Sequence, residues 1–289
     1  MKRILVPVDF STHTYNSCQY ALQLARASMA KIILFHSFFD QFYYSDGGLT
    51  TGFESGIMMN DEIILDFQKQ KEKKLQQMAD DLNYNLTGEE KIKTSISCFM
   101  ETGNPEVQII NAIRQFNPDL IVMGSGGMGK KGLMAGSVAR RIIDHASIPV
   151  VAVPASEGIP VLKNVAYMTT FDPDDVKVIY EIDKVLSPLR VDIFCLHLLK
   201  NETEDEAMRK MNNMANNKAI KYFKGRLSFH TARYYHNTEI LENFITGYKI
   251  GLIAFIPHSR NIFENLFYQG ITRDDLFKAQ VPIMAVRPD

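Results

Sequence analysis

The sequence predicts an α/β protein made of two tandem doubly wound, Rossmann-like modules, each with a five-stranded parallel sheet flanked by helices. Three observations carry that expectation. Short apolar runs rich in β-formers alternate with helical stretches through the first half, and strict βα alternation calls for parallel strands covered by helices on both faces. A polar, breaker-rich stretch, "ASEGIP", follows Pro154 and reads as a linker. The same order of landmarks then restarts. The expected division is a module at 1–155, a linker at 156–162 and a second, eroded module at 163–289.

"RILVPVDF" opens the chain as a buried strand. Ser11 or Thr12 can cap the helix that follows, and Tyr15, Cys18, Leu22 and Ala25 fall on one of its faces. "KIILFHSF" is a second buried strand. The charged stretch 61–82 sets Leu75, Met78 and Leu82 at helical spacing, and Asp61, Glu62 and Asp66 suit the dipole at its start. In "KIKTSISCFM" the alternation of Ile92, Thr94, Ile96, Cys98 and Met100 predicts a two-faced strand. "NPEVQIINAIRQF" is a helix opened by Pro105. "DLIVM" predicts a fourth strand, Gly136 to Ala146 a helix, and "IPVVAVP" a fifth strand.

The second half answers landmark by landmark. Phe10 precedes His36 by 26 residues, as Phe171 precedes His197. "RLSFHTARYY" repeats the alternating strand, "NTEILENFI" the helix of "NPEVQIINAI" and "KAQVPIMAVRP" the closing strand. The offset falls from 161 (His36 to His197) to 133 (Pro149 to Pro282), so the first half carries about 28 extra residues. The aperiodic, Gly/Tyr/Phe-rich stretch 40–60 accounts for most of them. Long loops of this kind are functional or disordered, and a lid over a ligand is one reading.

Composition narrows the function classes. A formal charge of -1, from 32 basic and 33 acidic residues, and the lack of a basic stripe argue against nucleic acid as a partner. No apolar run approaches the roughly 20 residues that span a bilayer. The N-terminus reaches Pro7 and Asp9 before a signal-like core forms. The expectation is a cytoplasmic protein without a membrane partner. Cys18, Cys98 and Cys195 are unclustered, which favours buried reduced thiols over disulfides or a metal site.

The segment "MGSGGMGKKGLMAGS", 123–137, fits three phosphate-binding patterns. As a P-loop it lacks the Ser or Thr after Lys130, where Lys131 stands, and it follows the fourth strand instead of the first. As a dinucleotide fingerprint it lacks an acid ending a second strand, since Asp144 falls in a predicted helix. The third pattern is Gly124-x-x-Gly127 followed by Gly136-Ser137. The chain leaves its strand at Met123 and turns through Gly124, Gly126 and Gly127, where glycine permits positive φ and close ligand approach. Gly136-Ser137 then opens a helix whose free N–H groups and dipole favour phosphate. An ordinary strand-to-helix turn is the plainer alternative.

"RILVPVDFS", "MGSGG", "AGSVARRIIDHASIPVVAVP" and the duplicated layout together resemble the universal stress protein family, closely in the first half and more weakly in the second. The family's ATP-binding members carry G-x2-G-x9-G-[S/T]; here eight residues, Met128 to Ala135, separate Gly127 from Gly136. The resemblance implies ATP, with or without Mg2+, as the ligand. It puts Asp9 on the ribose, Pro7 and Val8 along the nucleoside pocket, and Ser37 at the adenine. Gly124, Gly127, Gly136, Ser137 and Val138 would hold the phosphates, with Met123 and Gly126 in the same turn. It also implies that the closing strands, Val150 to Val153 and Ile283 to Val286, pair to make an intramolecular pseudo-dimer; a homodimer of chains is compatible with the same edges.

Thr170 stands where Asp9 stands, and Pro257 falls at or next to the Gly124 position. Proline offers no N–H and cannot take positive φ, so at most one nucleotide per chain is expected. The seven histidines are scattered, and no H-E-x-x-H or G-x-S-x-G signature appears. No catalytic residues and no metal ligands are assigned. The leading expectation is a nucleotide-binding regulatory protein whose bound state changes the face shown to a protein partner. An interaction scaffold without nucleotide, and a slow ATPase using Asp9, are the alternatives.

Overall fold

The computed structural model describes residues 1–38, 61–126, 136–155, 158, 160–199, 202–223, 225–233, 239–257 and 280–288. The stretch 40–60 and Gly127 lie outside the described residues. The first half runs β1 (Arg3–Pro7), α1 (Thr12–Ser28), β2 (Lys31–Phe38), α2 (Asp61–Tyr84), α3 (Glu89–Lys93), β3 (Ile96–Thr102), α4 (Pro105–Phe116), β4 (Leu120–Gly124), α5 (Ser137–His145) and β5 (Val150–Val153). The second runs β6 (Asn164–Met168), α6 (Asp175–Leu186), β7 (Asp192–Leu199), α7 (Glu204–Ala215), β8 (Leu227–Arg233), α8 (Glu239–Gly247), β9 (Ile250–Phe255) and β10 (Ile283–Ala285).

The strands form one sheet in the order β3-β2-β1-β4-β5-β10-β9-β6-β7-β8. Pairing within each half is parallel throughout, and the strand order of the first half recurs in the second. Covered on both faces, the inner strands can be apolar at every position. Ile4 and Val6 of β1 and Ile32 and Leu34 of β2 pack under Leu22 of α1 and Leu75, Met78 and Leu82 of α2. Leu5, Ile33 and Phe35 pack on the other face with Ile109 and Ile113 of α4 and Ile142 of α5.

Local signals start several helices. Ser11 caps α1, accepting from the Thr14 amide at 3.4 Å. Asn104 caps α4, with Pro105 in its first turn, and Thr203 and Glu206 form a reciprocal capping box on α7. The stretch from Lys91 corrects one expectation: β3 begins at Ile96, and 89–93 is helical. Glu89 and Glu90 open that turn and Lys91 and Lys93 close it, matching the helix dipole, while Lys93 pairs with Glu89 at 2.7 Å. These local charges override the alternation, and Ile92 is left 85% exposed. On α1, Cys18, Leu22 and Ala25 are buried but Tyr15 is half exposed.

β5 and β10 pair antiparallel, with Met284 opposite Val151 and Ile283 opposite Ala152, and so join the two five-stranded halves. All four side chains are buried. Beside this seam the Arg287 guanidinium donates to the carbonyls of Ile143, Asp144 and Ala146 at the end of α5 and to that of Pro257. Four carbonyls on two elements thereby share one cation. Among the described residues, no helix is long and apolar enough to cross a membrane.

Truncating the seam tests its weight. Met284→Ala should lower unfolding stability by about 2–5 kcal/mol, the usual cost of emptying a fully buried methionine site, measured as a shift in urea midpoint. An unchanged midpoint would show that the halves do not depend on this contact.

Candidate functional site

In a sheet of this order the strand ends diverge between β1 and β4, and the crevice at their C-terminal ends is where ligands settle. β1 and β4 are neighbours, with Ile4 opposite Leu120 and Leu5 opposite Ile121. Asp9 and Gly124 therefore leave the sheet side by side, and α1 begins between them.

Asp9 is held by the start of α1. Its Oδ1 accepts from the Ser11 amide at 2.9 Å and from the Thr14 hydroxyl at 2.5 Å, and its own amide donates to Thr14 Oγ1 at 3.1 Å. Oδ2 has no hydrogen-bond partner among the described residues. The next residue, Phe10, takes the left-handed region at φ 61°, uncommon for a bulky side chain. Its ring leans on His36 at 4.6 Å between centroids. His36, two residues before the end of β2, donates from Nδ1 to the Val8 carbonyl at 2.7 Å, while the Val8 amide donates to the Phe35 carbonyl at 2.8 Å.

The glycine turn is shaped by His13, which sequence reasoning passed over. A Cβ on Gly124 would meet His13 Cβ at 2.7 Å, and one on Gly126 would meet the His13 ring at 2.6 Å. Neither glycine has positive φ; among the described residues the positive-φ glycines are Gly88, Gly103 and Gly225. Close approach, and not a left-handed turn, is what demands glycine here. The chain returns at Gly136, whose amide donates to the Ser125 carbonyl at 2.7 Å, while the Ser125 amide donates to Val153 at 2.8 Å. The two ends of the glycine segment are thus tied to each other and to β5.

Gly136 is the N-cap residue of α5, in extended conformation and without a side-chain cap bond. Ser137 and Val138 supply the first amides of that helix, at the positive end of its dipole. Pro7 and Gly124 end β1 and β4, Ser37 lies one residue before the end of β2, Gly124 and Gly126 approach His13, and Gly136 with Ser137 and Val138 follows from the tie to Ser125. Val8 and Met123 are nearly buried, each in a core cluster, so they position the site from beneath. Among the described residues, no group of three His, Cys, Asp or Glu side chains is gathered to hold a metal. A groove of about 700 Å3 between α2 and the edge strand β3, lined in part by Leu75, Cys98 and Phe99, lies two strands away from β1.

The second half repeats the frame and changes its chemistry. His197 donates from Nδ1 to the Thr169 carbonyl at 2.9 Å, and Phe171 again has positive φ, 58°. At the Asp9 position, Thr170 donates its hydroxyl to Asp172 at 2.7 Å. The acid has moved into the helix: Asp175 is buried and accepts from Tyr167, Thr169 and the Asp172 amide. Burial raises its pKa despite those three donors.

A model of the universal stress protein family matches residues 1–154, and the chain belongs to that family. A universal stress protein from Archaeoglobus fulgidus superposes over 99% of this chain and 96% of its own, with TM-score 0.69 at 17% identity. A putative universal stress protein from Pseudomonas aeruginosa does so over 100% and 94%, with TM-score 0.61 at 9% identity. These likenesses establish the fold. A universal stress protein solved in complex with cAMP aligns over 54% of this chain and 98% of its own, with TM-score 0.37 at 21% identity. No curated protein sequence matches the chain.

Two outcomes test the local geometry. Gly126→Ala alone should destabilise by about 1–3 kcal/mol through overpacking, and adding His13→Ala should recover most of that loss in a double-mutant cycle; additive losses would contradict the contact. His36 is held below its usual pKa chiefly by burial, so the unfolded chain takes up a proton first as pH falls. Urea stability should therefore drop as pH falls below about 6.5, and His36→Asn should flatten that slope. An equal slope in the variant would show that His36 is not the titrating group.

Proposed function

We propose that residues 1–155 and 163–289 are two modules, and that the first binds one adenine nucleotide, ATP by the family resemblance, in the crevice between β1 and β4. The carrying observation is the uncapped start of α5, fixed beside Asp9 through the Ser125–Gly136 bond and the His13 contact. α1, α4 and α7 satisfy their first amides with side chains. Among the described residues α5 has no side-chain cap, as α3 and α6 also have none, and we assign its first amides to a ligand, for which a phosphate chain is the group that amides and dipole together favour. Asp9 offers a carboxylate oxygen to ribose hydroxyls, and Ser37 edges the base.

Among its described residues, the second module lacks the acid and the turn amide at the matching positions. Thr170 brings no charge, and Pro257 has no amide to give and lends its carbonyl to Arg287. Each charge-assisted bond contributes about 1.5–3 kcal/mol, roughly 10- to 150-fold in affinity, so losing several removes useful binding. The chain then works as a regulatory protein in which one nucleotide sets the surface offered to a protein partner. The second module completes the sheet through the β5–β10 pairing.

Calorimetric titration with ATP, ADP, AMP and cAMP tests this. One site per chain is expected, with affinity reduced at least about tenfold by Asp9→Ala, which removes the ribose acceptor, and by Gly136→Pro, which breaks the tie to Ser125. Two sites per chain, or no heat at millimolar nucleotide, would refute the reading.

A further inference from the structure

The two halves treat one histidine differently. In the second half His197 packs on Phe171 at 5.0 Å, spends Nδ1 on the Thr169 carbonyl, and pairs its Nε2 with Glu202. The other oxygen of Glu202 accepts from Lys210 of α7 at 3.0 Å. The carboxylate thus bridges a histidine and a lysine. Burial pushes the Glu202 pKa up, but Lys210 and His197 outweigh it and hold the acid below its usual value.

In the first half the histidine and the lysine are present and the carboxylate is not, among the described residues. His36 is 6% exposed, and its Nε2 has no hydrogen-bond partner among the described residues. Lys71 comes from α2, the helix that stands where α7 stands. Its Nζ lies over the rings of Phe10, at 5.2 Å, and Phe67, at 5.0 Å, with no ion pair among the described residues. Phe38 stacks beside His36 at 6.3 Å. The rings of Phe10 and Phe38 flank His36, and Lys71 lies over Phe10 and Phe67, in the half that has no counterpart of Glu202 among its described residues. His36 points to the face covered by α1 and α2, with Leu34, whereas α5 covers the opposite face.

We propose that His36 and Lys71 form a binding site for an organic carboxylate with an apolar body, separate from the nucleotide crevice and independent of it. One carboxylate oxygen accepts from Nε2–H and the other from Lys71, while Phe10, Phe38 and Phe67 flank the apolar part. Because Nδ1–H is committed to Val8, an Nε2–H exists only on the imidazolium. Binding therefore takes up one proton from solvent for each carboxylate bound by neutral His36. Asp9, from the β1–α1 turn, favours the imidazolium; Lys71, from α2, opposes it until the ligand neutralises that charge. Affinity should rise as pH falls from 8 towards about 6.

Benzoate is the probe, with acetate as the form lacking an apolar body, titrated into the full chain while the imidazole nitrogens are followed by 15N NMR. A saturable shift of His36 Nε2 towards the imidazolium position is expected, with His197 unmoved and acetate weaker than benzoate. Lys71→Met should weaken benzoate about tenfold or more and leave ATP binding unchanged, which separates this site from the nucleotide one. Because His36 variants disturb Val8, Glu202→Ala supplies the converse: it should make His197 responsive to benzoate. No saturable His36 shift at millimolar benzoate, or full affinity in Lys71→Met, would overturn the proposal. So would a His36 ring already imidazolium near neutral pH before any addition, since the chain would then supply the carboxylate itself.

Discussion

The closeness of α1 to the chain leaving β4 is the constraint on which the crevice depends. His13 sits where a side chain at Gly124 or Gly126 would sit, so the first turn of α1 can lie directly against the end of β4. That contact brings Asp9 and its hydrogen-bonded partners Ser11 and Thr14 alongside the turn. The Ser125–Gly136 bond then returns the chain to the same place. Three segments distant in sequence are fixed within one small volume, and the backbone does most of the fixing.

The two halves show how one frame supports different chemistry. The ties between Val8 and Phe35 and between His36 and Val8 recur between Thr169 and Leu196 and between His197 and Thr169. The left-handed residue recurs as well, at Phe10 and Phe171. The placement of acids differs. The first half carries an acid at the strand end, facing the crevice, and lacks one beside its histidine among the described residues. The second carries acids at Asp175, buried and fully hydrogen-bonded, and at Glu202, beside its histidine. Placing the carboxylates a few residues away leaves the second half with polar groups that satisfy each other.

Most of the fold was legible in the sequence because its strands are covered on both faces and read as unbroken apolar runs, as in "KIILFHSF" and "DLIVM". Ser11, Pro105 and Gly136-Ser137 marked three of the helix starts. The pairing of the closing strands, Val150–Val153 and Ile283–Ala285, was implied by the family resemblance, with two apolar edges consistent with it. Period-2 alternation misled at Ile92, where charge order within five residues decided for a helix. For the site, the segment and its glycines were visible but their reason was not. His13 gives no signal in sequence, since a single histidine in a helix is ordinary and only the approach of β4 gives it a role. The difference between His36 and His197 was likewise hidden, because it lies in Glu202, a residue with no mark of its own.

The central claim is that unpaired amides at the start of α5 receive the phosphates. Amide hydrogen exchange with and without ATP tests it most directly. Ser137 and Val138 should exchange rapidly alone and become protected when ATP is added, with no change along β9 and β10. Protection confined to the second half, or amides at 137 and 138 that exchange equally fast in saturating ATP, would contradict the account.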